Sequence, residues 1–505
     1  MKNIIINYNS LFALVFFNYK VYSRSKNFFL KKKNDQTIDE SLWTATDGRD
    51  CDNFSNKIVC EIYSDSNKTK FNFLEEWGGS DFSQSFMKHS LLKEVRKIVW
   101  EFMYAEKVRN KYKIKRKIYF WPNIISLKLY NKIRDHELIP KSADLHTAAK
   151  IYLNVIEIFK FLYFSLGLLF FLEQSFLSIK FSRKIKDKFS SGVVLDDGQF
   201  REVLNNKNYP IGKIKIMSLI EKDETLIIND NPQKINKVWS HLCSKDGYNV
   251  LNLENVSQYI SKVKYIKKYY YQDLCFRLNL LRISLHYVFL IKTIYECYKY
   301  KVLWQMFYQK FSIKTINKFM IYEHHAASVV HKMNNCKTVL TYFSNTEPEV
   351  RKEVSPKPIY FELSYMNFDY LISSQISINF LKNSNSNIGE YISLGPIFSD
   401  LSFLSQKKKE NICYKLNIPK EKKIITFFDN TYGHYGINTI NEQKKFIESI
   451  YEINNRNKDY FIIYKPKKII KDNSILELLN KIKENKNFTE IKKNSGLQSE
   501  ELIGL

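Results

Sequence analysis

Glycine and proline are scarce in this 505-residue chain, at 14 and 10 residues. That excludes collagen-like repeats and low-complexity linkers. The seven cysteines (Cys51, Cys60, Cys243, Cys275, Cys297, Cys336 and Cys413) are dispersed, odd in number and without a CxxC pair. They form neither a disulfide framework nor a zinc ribbon, and the pattern fits a reducing compartment. There is no internal repeat and no HExxH. No dense Arg/Lys block with interleaved aromatics occurs, nor an RNP-type pattern, so no nucleic-acid partner is expected. The apolar run Leu11–Phe17 lacks a small-x-small cleavage site and is followed by Lys20, so it does not read as a secretory signal.

What is present is apolar material and positive charge. Hydrophobic residues make up 44% of the chain, enough for buried cores, and the length corresponds to two to four domains of roughly 100–200 residues. Lysine and arginine number 79 against 52 acidic residues, a net charge of +27. Such an excess favours anionic partners such as acidic lipid or phosphorylated substrates. The abundance of Lys, Asn, Ile, Tyr and Phe also matches an AT-rich coding bias, which raises surface lysine without any partner.

Four regions differ in texture. Residues 1–150 are mixed and remain of unassigned fold, with a helix over Glu94–Val108, a strand at Ile118–Trp121 and a turn at Trp77-Gly78-Gly79. Residues 151–204 form an apolar helical segment with a basic flank. Phe161–Leu172 is twelve residues without a charge, followed by Lys180, Arg183, Lys184, Lys186 and Lys188. Spanning a bilayer takes about 20 apolar residues. The run is shorter, so it reads as a helix lying in a membrane interface, with a buried core helix and a true span as the alternatives.

Residues 205–405 alternate strands and helices. Strands are expected at Leu226–Ile228, Asn249–Leu251, Phe319–Tyr322, Thr338–Phe343, Tyr370–Ser373 and Tyr391–Leu394. Helices are expected at Lys234–Ser244, Ala326–Met333 and Ile376–Leu381, with a helix-rich insertion over Lys262–Lys314. Strands separated by helices imply parallel βαβ units and a doubly wound sheet. Residues 406–505 open with a polar run, Gln406–Glu410, that reads as a linker. Strands follow at Ile424–Phe428, Phe461–Tyr464 and Phe488–Ile491. Between them, Thr439 with Glu442 and Ser474 with Glu477 have capping-box spacing. The first helix carries Phe446, Ile450 and Ile453, and the second carries Ile475, Leu478, Leu479 and Ile482 at i, i+3, i+4, i+7. Ser499-Glu500-Glu501 opens a further helix. With two clear helices for three strands, this sheet is expected to be open-edged, incompletely covered and truncated, with completion by earlier parts of the chain as the alternative.

Ligands of open parallel sheets bind beyond the carboxyl ends of the strands. That rule selects Asn430, Thr431 and Gly433, in the loop after Ile424–Phe428. This short polar, glycine-bearing loop precedes a helix, although it is neither GxGxxG nor a P-loop. It also selects Lys465 and Lys467 after Phe461–Tyr464, as holders of a diphosphate. In the preceding region it selects Glu323 and His324, which can supply a general base or serve structurally. His331 is too far along the following helix to complete a ligand set with them, and no metal is expected.

Phe368–Ser374 through Tyr391–Pro396 resembles the end of an acceptor domain. Lys415-Leu416-Asn417-Ile418-Pro419, then IITFF, resembles the opening of a donor domain. Ile424–Lys467 is similar to bacterial surface-polysaccharide biosynthesis proteins, one group of which is named for a Pro-Phe-Thr-Ser motif. The resemblance covers residues 319–505, and the chain ends ahead of where that motif would follow. It implies an α/β fold of two Rossmann-like domains (GT-B-like), the second incomplete, behind a helix-rich N-terminal region. Residues 205–405 would be the acceptor domain and 406–505 the donor domain. The implied activity is glycosyl transfer from a nucleotide sugar, used as substrate with no cofactor, to a glycan or lipid-linked acceptor at the inner face of the cytoplasmic membrane. The alternatives are a nucleotide-sugar epimerase, a polyol-phosphate transferase, and an inactive membrane-associated remnant.

Overall fold

A computed structural model describes residues 2–6, 19–23, 36–37, 42–43, 45–65, 72–121, 125–177, 188–195, 223–229, 249–259, 262–319, 330–341, 365–375, 378–379, 382, 386–393, 406–429, 440–456, 459–466, 470, 472–491 and 502. The chain divides into two compact units. Unit 1 is Met1–Val21 with Asp50–Ile397, and unit 2 is Tyr22–Arg49 with Phe398–Leu505.

The N-terminal region carries strands β1 (Lys2–Ile6), β2 (Tyr19–Ser23) and β3 (Gln36–Thr37), then helices α1 (Ala45–Asp65) and α2 (Asn72–Lys111). Strand β4 (Ile118–Trp121), helix α3 (Leu127–Ile133), strand β5 (Ala143–Leu145) and helix α4 (Thr147–Leu177) follow. β1, β4 and β5 pair in parallel in that order, with Asn3 opposite Ile118 and Ile118 opposite Ala143. Helix α2 covers this sheet with a face that repeats every three or four residues: Leu91, Val95, Ile98, Phe102, Ala105 and Val108 are all buried. Phe102 stacks on Tyr130 at 5.6 Å and meets Phe120 edge-on at 5.2 Å. The turn expected at Trp77-Gly78-Gly79 lies instead inside α2. Two glycines cost a helix about 1 kcal/mol each relative to alanine, less than the packing of a long apolar face supplies.

The main sheet of unit 1 has seven strands: β6 (Lys188–Leu195), β7 (Thr225–Asn229), β8 (Asn249–Asn252), β9 (Ser312–Phe319), β10 (Lys337–Thr341), β11 (Asn367–Ser373) and β12 (Asn387–Ser393). Their spatial order is β12-β11-β10-β9-β6-β7-β8, and every pairing is parallel. This is a doubly wound order that reverses between β6 and β9. The crossover from β8 to β9 contains α5 (Lys262–His286) and α6 (Ile291–Lys310). These two helices are joined by a buried ion pair, Lys301 Nζ to Asp273 Oδ1 at 3.4 Å, and Lys301 also lies 3.8 Å from the centre of the Phe276 ring. Burial pulls the Lys301 ammonium below the usual lysine range, and Asp273 opposes that shift.

The α/β class and the helix-rich N-terminal region are as the sequence predicts. Two central strands differ. Lys188, expected in a basic flank, opens β6. Strand β9 begins at Ser312, inside the expected helix-rich stretch, and shares only Phe319 with the strand expected at Phe319–Tyr322, of which residues 320–322 lie outside the described residues. Both strands are rich in polar residues (KFSSGVVL and SIKTINKF), so neither shows the apolar run usual for a strand buried on both faces. The helix expected at Lys234–Ser244 lies outside the described residues.

Unit 2 contains helix α7 (Gln406–Lys415), strand β13 (Lys423–Phe428), helix α8 (Ile440–Arg456), strand β14 (Tyr460–Lys465), helix α9 (Asn473–Lys483) and strand β15 (Phe488–Glu490). The polar run read as a linker is therefore the first turn of α7 and beyond. Asn417 ends that segment at φ 54, where the Ile418 N–H bonds back to the Cys413 carbonyl at 2.9 Å. In the parallel sheet β13-β14-β15 the central strand β14 is covered on both faces, more fully than expected, while the edge strand β13 stays half-exposed, as the expectation of an open, incompletely covered edge has it. Ile447 and Ile450 of α8 and Ile475, Leu479 and Ile482 of α9 pack on Ile462 and Tyr464. On the other face Ile418 and Leu502 pack on Phe461 and Ile463, with Cys413 and Leu416 alongside. The second cover comes from short apolar stretches too small to stand out as amphipathic helices. Asp472 caps α9, accepting from the N–H groups of Ser474 and Ile475 at 3.0 and 3.3 Å, so the cap lies two residues before the Ser474 expected from spacing.

At Gly389 of β12 an added Cβ would lie 2.7 Å from the Asp369 carbonyl oxygen of β11. The neighbour is backbone, and the Asp369 carboxylate is itself held by the Thr338 N–H at 2.8 Å and hydroxyl at 2.9 Å. Gly389→Ala is expected to destabilise unit 1 by about 1–3 kcal/mol, read as a lower urea midpoint. An unchanged midpoint would show that β12 moves outward freely.

Candidate functional site

In unit 1 the reversal of strand order sets the crevice. From β6 the chain winds outward through β7 to β8, returns to β9 beside β6, and winds the other way to β12. The carboxyl ends that flank the reversal are Leu195 and Phe319. Near the second of these, Thr341 Oγ1 donates to Asn317 Oδ1 at 3.0 Å and ties the ends of β9 and β10 together. Lys318, one residue before the end of β9, is buried at 4% exposure. Glu323 and His324 follow Phe319 closely in sequence and lie outside the described residues.

The helix that includes Val330–Met333 is anchored by His331. Its ring is fully buried, its Nδ1 shares a 2.8 Å hydrogen bond with the Tyr308 hydroxyl, and it meets Trp304 edge-on at 4.4 Å. Burial, reinforced by the positive charge of Lys318, holds the imidazole well below the usual histidine range, so it stays neutral. Burial also pushes the Tyr308 phenol up, and the Cys336 thiol up to about 11. These groups are inert at neutral pH. His331 is a packing residue that fixes the helix leading into β10.

In unit 2 the crevice end of the sheet is formed by the last residues of β13 and β14. Phe428 is in register with Lys465, and the Asp429 N–H bonds to the Lys465 carbonyl at 3.1 Å, one step past the strand. The Asp429 carboxylate accepts from the Tyr464 hydroxyl at 2.7 Å and from Gln443 Nε2 at 3.1 Å. Tyr464 and Gln443 are both buried. Strand β14, loop start and the first turn of α8 thus meet at one carboxylate, which fixes where the loop after β13 departs. Lys465, half-buried, ends β14 beside that departure point, and by strand alternation its side chain shares the Phe461–Ile463 face, opposite the one that α8 covers. Of the residues selected from sequence, Lys465 is the described one. Asn430, Thr431, Gly433 and Lys467 lie outside the described residues. The Asp429–Tyr464–Gln443 cluster was missed by sequence reading. Its one signal is a tyrosine at the end of an otherwise aliphatic strand.

Among the described residues no group of three or more His, Cys, Asp or Glu side chains gathers as a metal site would.

No family model matches the chain, and no curated protein matches it. Among solved structures the chain is similar to a glycosyltransferase from Rickettsia africae ESF-5, with 12% identity, 63% of this chain and 71% of that chain covered, and a TM-score of 0.33. It is similar to the UDP-GlcNAc 2-epimerase from Neisseria meningitidis, with 11% identity, 63% and 74% covered, and a TM-score of 0.32. It is also similar to a sucrose-phosphate synthase from Thermosynechococcus elongatus, with 12% identity, 63% and 72% covered, and a TM-score of 0.33.

A histidine held neutral in the native state gives stability a definite pH slope. Below the ordinary histidine value near 6.5 the unfolded chain takes up a proton that the native protein refuses. Stability therefore falls with acidification, by up to about 1.4 kcal/mol per pH unit for one such group. His331→Phe is expected to flatten this slope between pH 7 and pH 5 in urea titrations. An equal slope in the variant would show that His331 does not stay neutral.

Proposed function

We propose that this protein is a GT-B-type glycosyltransferase of surface-polysaccharide assembly, transferring a sugar from a nucleotide-sugar donor to a glycan or lipid-linked acceptor. The observation that carries the reading is the carboxyl edge of the unit 2 sheet. There the Lys465 carbonyl holds the Asp429 loop start, and Gln443 in the first turn of α8 holds the Asp429 carboxylate, an edge that supports a diphosphate site. The resemblance of residues 319–505 to surface-polysaccharide biosynthesis proteins supports the same reading.

In this reading Lys465, Lys467 and the backbone of Asn430, Thr431 and Gly433 neutralise the diphosphate of the leaving group. Glu323 or His324, after the switch-point strand of unit 1, takes the proton of the acceptor hydroxyl. The acceptor oxygen then bonds to the anomeric carbon as the bond from that carbon to the diphosphate oxygen breaks. The diphosphate carries the electron pair away.

A thermal-shift series with UDP- and GDP-sugars, against free sugars and nucleosides, tests the donor site, because a ligand that binds only the native state raises its melting temperature. Nucleotide sugars are expected to stabilise the protein and free sugars not. Replacing both Lys465 and Lys467 with Ala is expected to weaken nucleotide-sugar binding about tenfold or more, in line with the loss of charge-assisted hydrogen bonds. The absence of any shift would overturn the reading. An epimerised donor formed without acceptor would reassign the site to a nucleotide-sugar epimerase.

A further inference from the structure

Helix α4 is fixed along one side only. Leu153, Glu157 and Leu168 are buried, and Glu157 accepts from the Ser126 hydroxyl at 2.5 Å. At Gly167 the Tyr295 ring of α6 comes so near that a Cβ would lie 2.7 Å from its Cε2, so only glycine allows this approach. Buried Arg277 of α5 donates to the Leu169 carbonyl at 2.5 Å and ties α4 to α5.

The opposite side is bare and apolar. Ile151, Val155, Ile158, Phe159, Leu162, Tyr163, Leu166, Leu169 and Phe170 recur at three- and four-residue steps, with Phe159 67% and Tyr163 71% exposed. The stripe is about 30 Å long at helical rise. Between Ile151 and Phe170 no charged residue is exposed, and Asn154 is the one exposed polar side chain. Helix α5 continues the patch with Tyr271, 77% exposed, and with Leu274, Leu278 and Leu285. Leu274 and Leu278 flank Arg277, so they border the Leu169–Phe170 end of the stripe. A continuous apolar surface of this extent is an interaction surface.

Charge names the occupant. On α5 exposed Lys268 precedes the patch and exposed Arg282 lies within it, and Lys262, Lys264 and Lys267 come before them in sequence. In sequence, Lys180, Arg183, Lys184 and Lys186 follow the helix. Tyrosines at the patch, as at a membrane–water boundary, complete an apolar face with a cationic rim. By length and composition Thr147–Phe170 is also apolar enough to cross a bilayer. Crossing would place lipid against the side that holds Glu157 and packs on Tyr295.

We propose that the α4–α5 face docks this protein on an anionic lipid bilayer, with α4 lying in the interface and not crossing it. The face is made of unit 1 residues alone, so the inference does not rest on the sugar-transfer reading.

Flotation of the full chain with vesicles tests it. One set is phosphatidylcholine alone, the other equal parts phosphatidylcholine and phosphatidylglycerol. The protein is expected to float with the anionic vesicles, less so in high salt, and to be released from them by alkaline carbonate. Ile158→Glu with Leu162→Glu, both at exposed positions, is expected to lower vesicle partitioning at least about tenfold while the melting temperature and any nucleotide-sugar shift stay unchanged. Failure of the wild type to float, or equal flotation of the variant, would overturn the proposal. So would retention after carbonate, which marks a spanning helix. Concentration-dependent self-association that the variant abolishes, without flotation, would assign the face to a second copy and overturn it as well.

Discussion

The pairing of β6 with β9 is the interaction on which unit 1 depends. From Lys188 opposite Ser312 to Val194 opposite Lys318, it joins the two oppositely wound halves of the seven-stranded sheet. A parallel strand pair needs a crossover long enough to return to the same end of the sheet. Here that crossover includes β7, β8, α5 and α6. The reversal of strand order leaves a crevice at the carboxyl ends of β6 and β9, and the Glu323–His324 segment follows directly in sequence. One pairing therefore defines both the architecture and the location of the chemistry proposed for this unit.

Unit 2 solves a smaller version of the same problem. A three-stranded parallel sheet has two apolar faces, and β14 shows both: Phe461 and Ile463 point to one, Ile462 and Tyr464 to the other. The segment around Ile418 with Leu502 covers the first, and the α8–α9 pair covers the second. Burial on both sides makes the strand rigid, and that rigidity holds Tyr464 where its hydroxyl reaches Asp429. Packing and site geometry are the same fact seen from two ends of one strand.

Legibility in the sequence followed physical type. The strands of unit 2 and its two amphipathic helices were readable because aliphatic runs and three-to-four-residue spacing are local signals. Strands β6 and β9 were not, because Ser, Thr, Lys and Asn interrupt their apolar residues and leave no continuous run. Lys318 in particular reads as surface and is buried. The cap at Asp472 was misplaced by two residues because Ser474 and Glu477 also satisfy the capping spacing. At the carboxyl edge of the unit 2 sheet the carboxyl-end rule reached Lys465, while the carboxylate next to it in the fold depends on contacts from residues fourteen and thirty-five positions away. The apolar run of α4 was visible, but which side of it would remain bare depends on where α5 and α6 pack, and that is a tertiary property.

The position of β9 in the chain also orders events in time. Until Ser312–Phe319 has left the ribosome, β6 has β7 as a neighbour on one edge and nothing of its own sheet on the other. Synthesis of the crossover takes on the order of ten seconds at typical elongation rates. Through that interval the nascent chain exposes an unpaired strand edge together with the bare face of α4. Non-local parallel pairing is slow to form and vulnerable to association while it waits. A chain built this way has reason to meet a chaperone or a lipid surface early, before its sheet is closed.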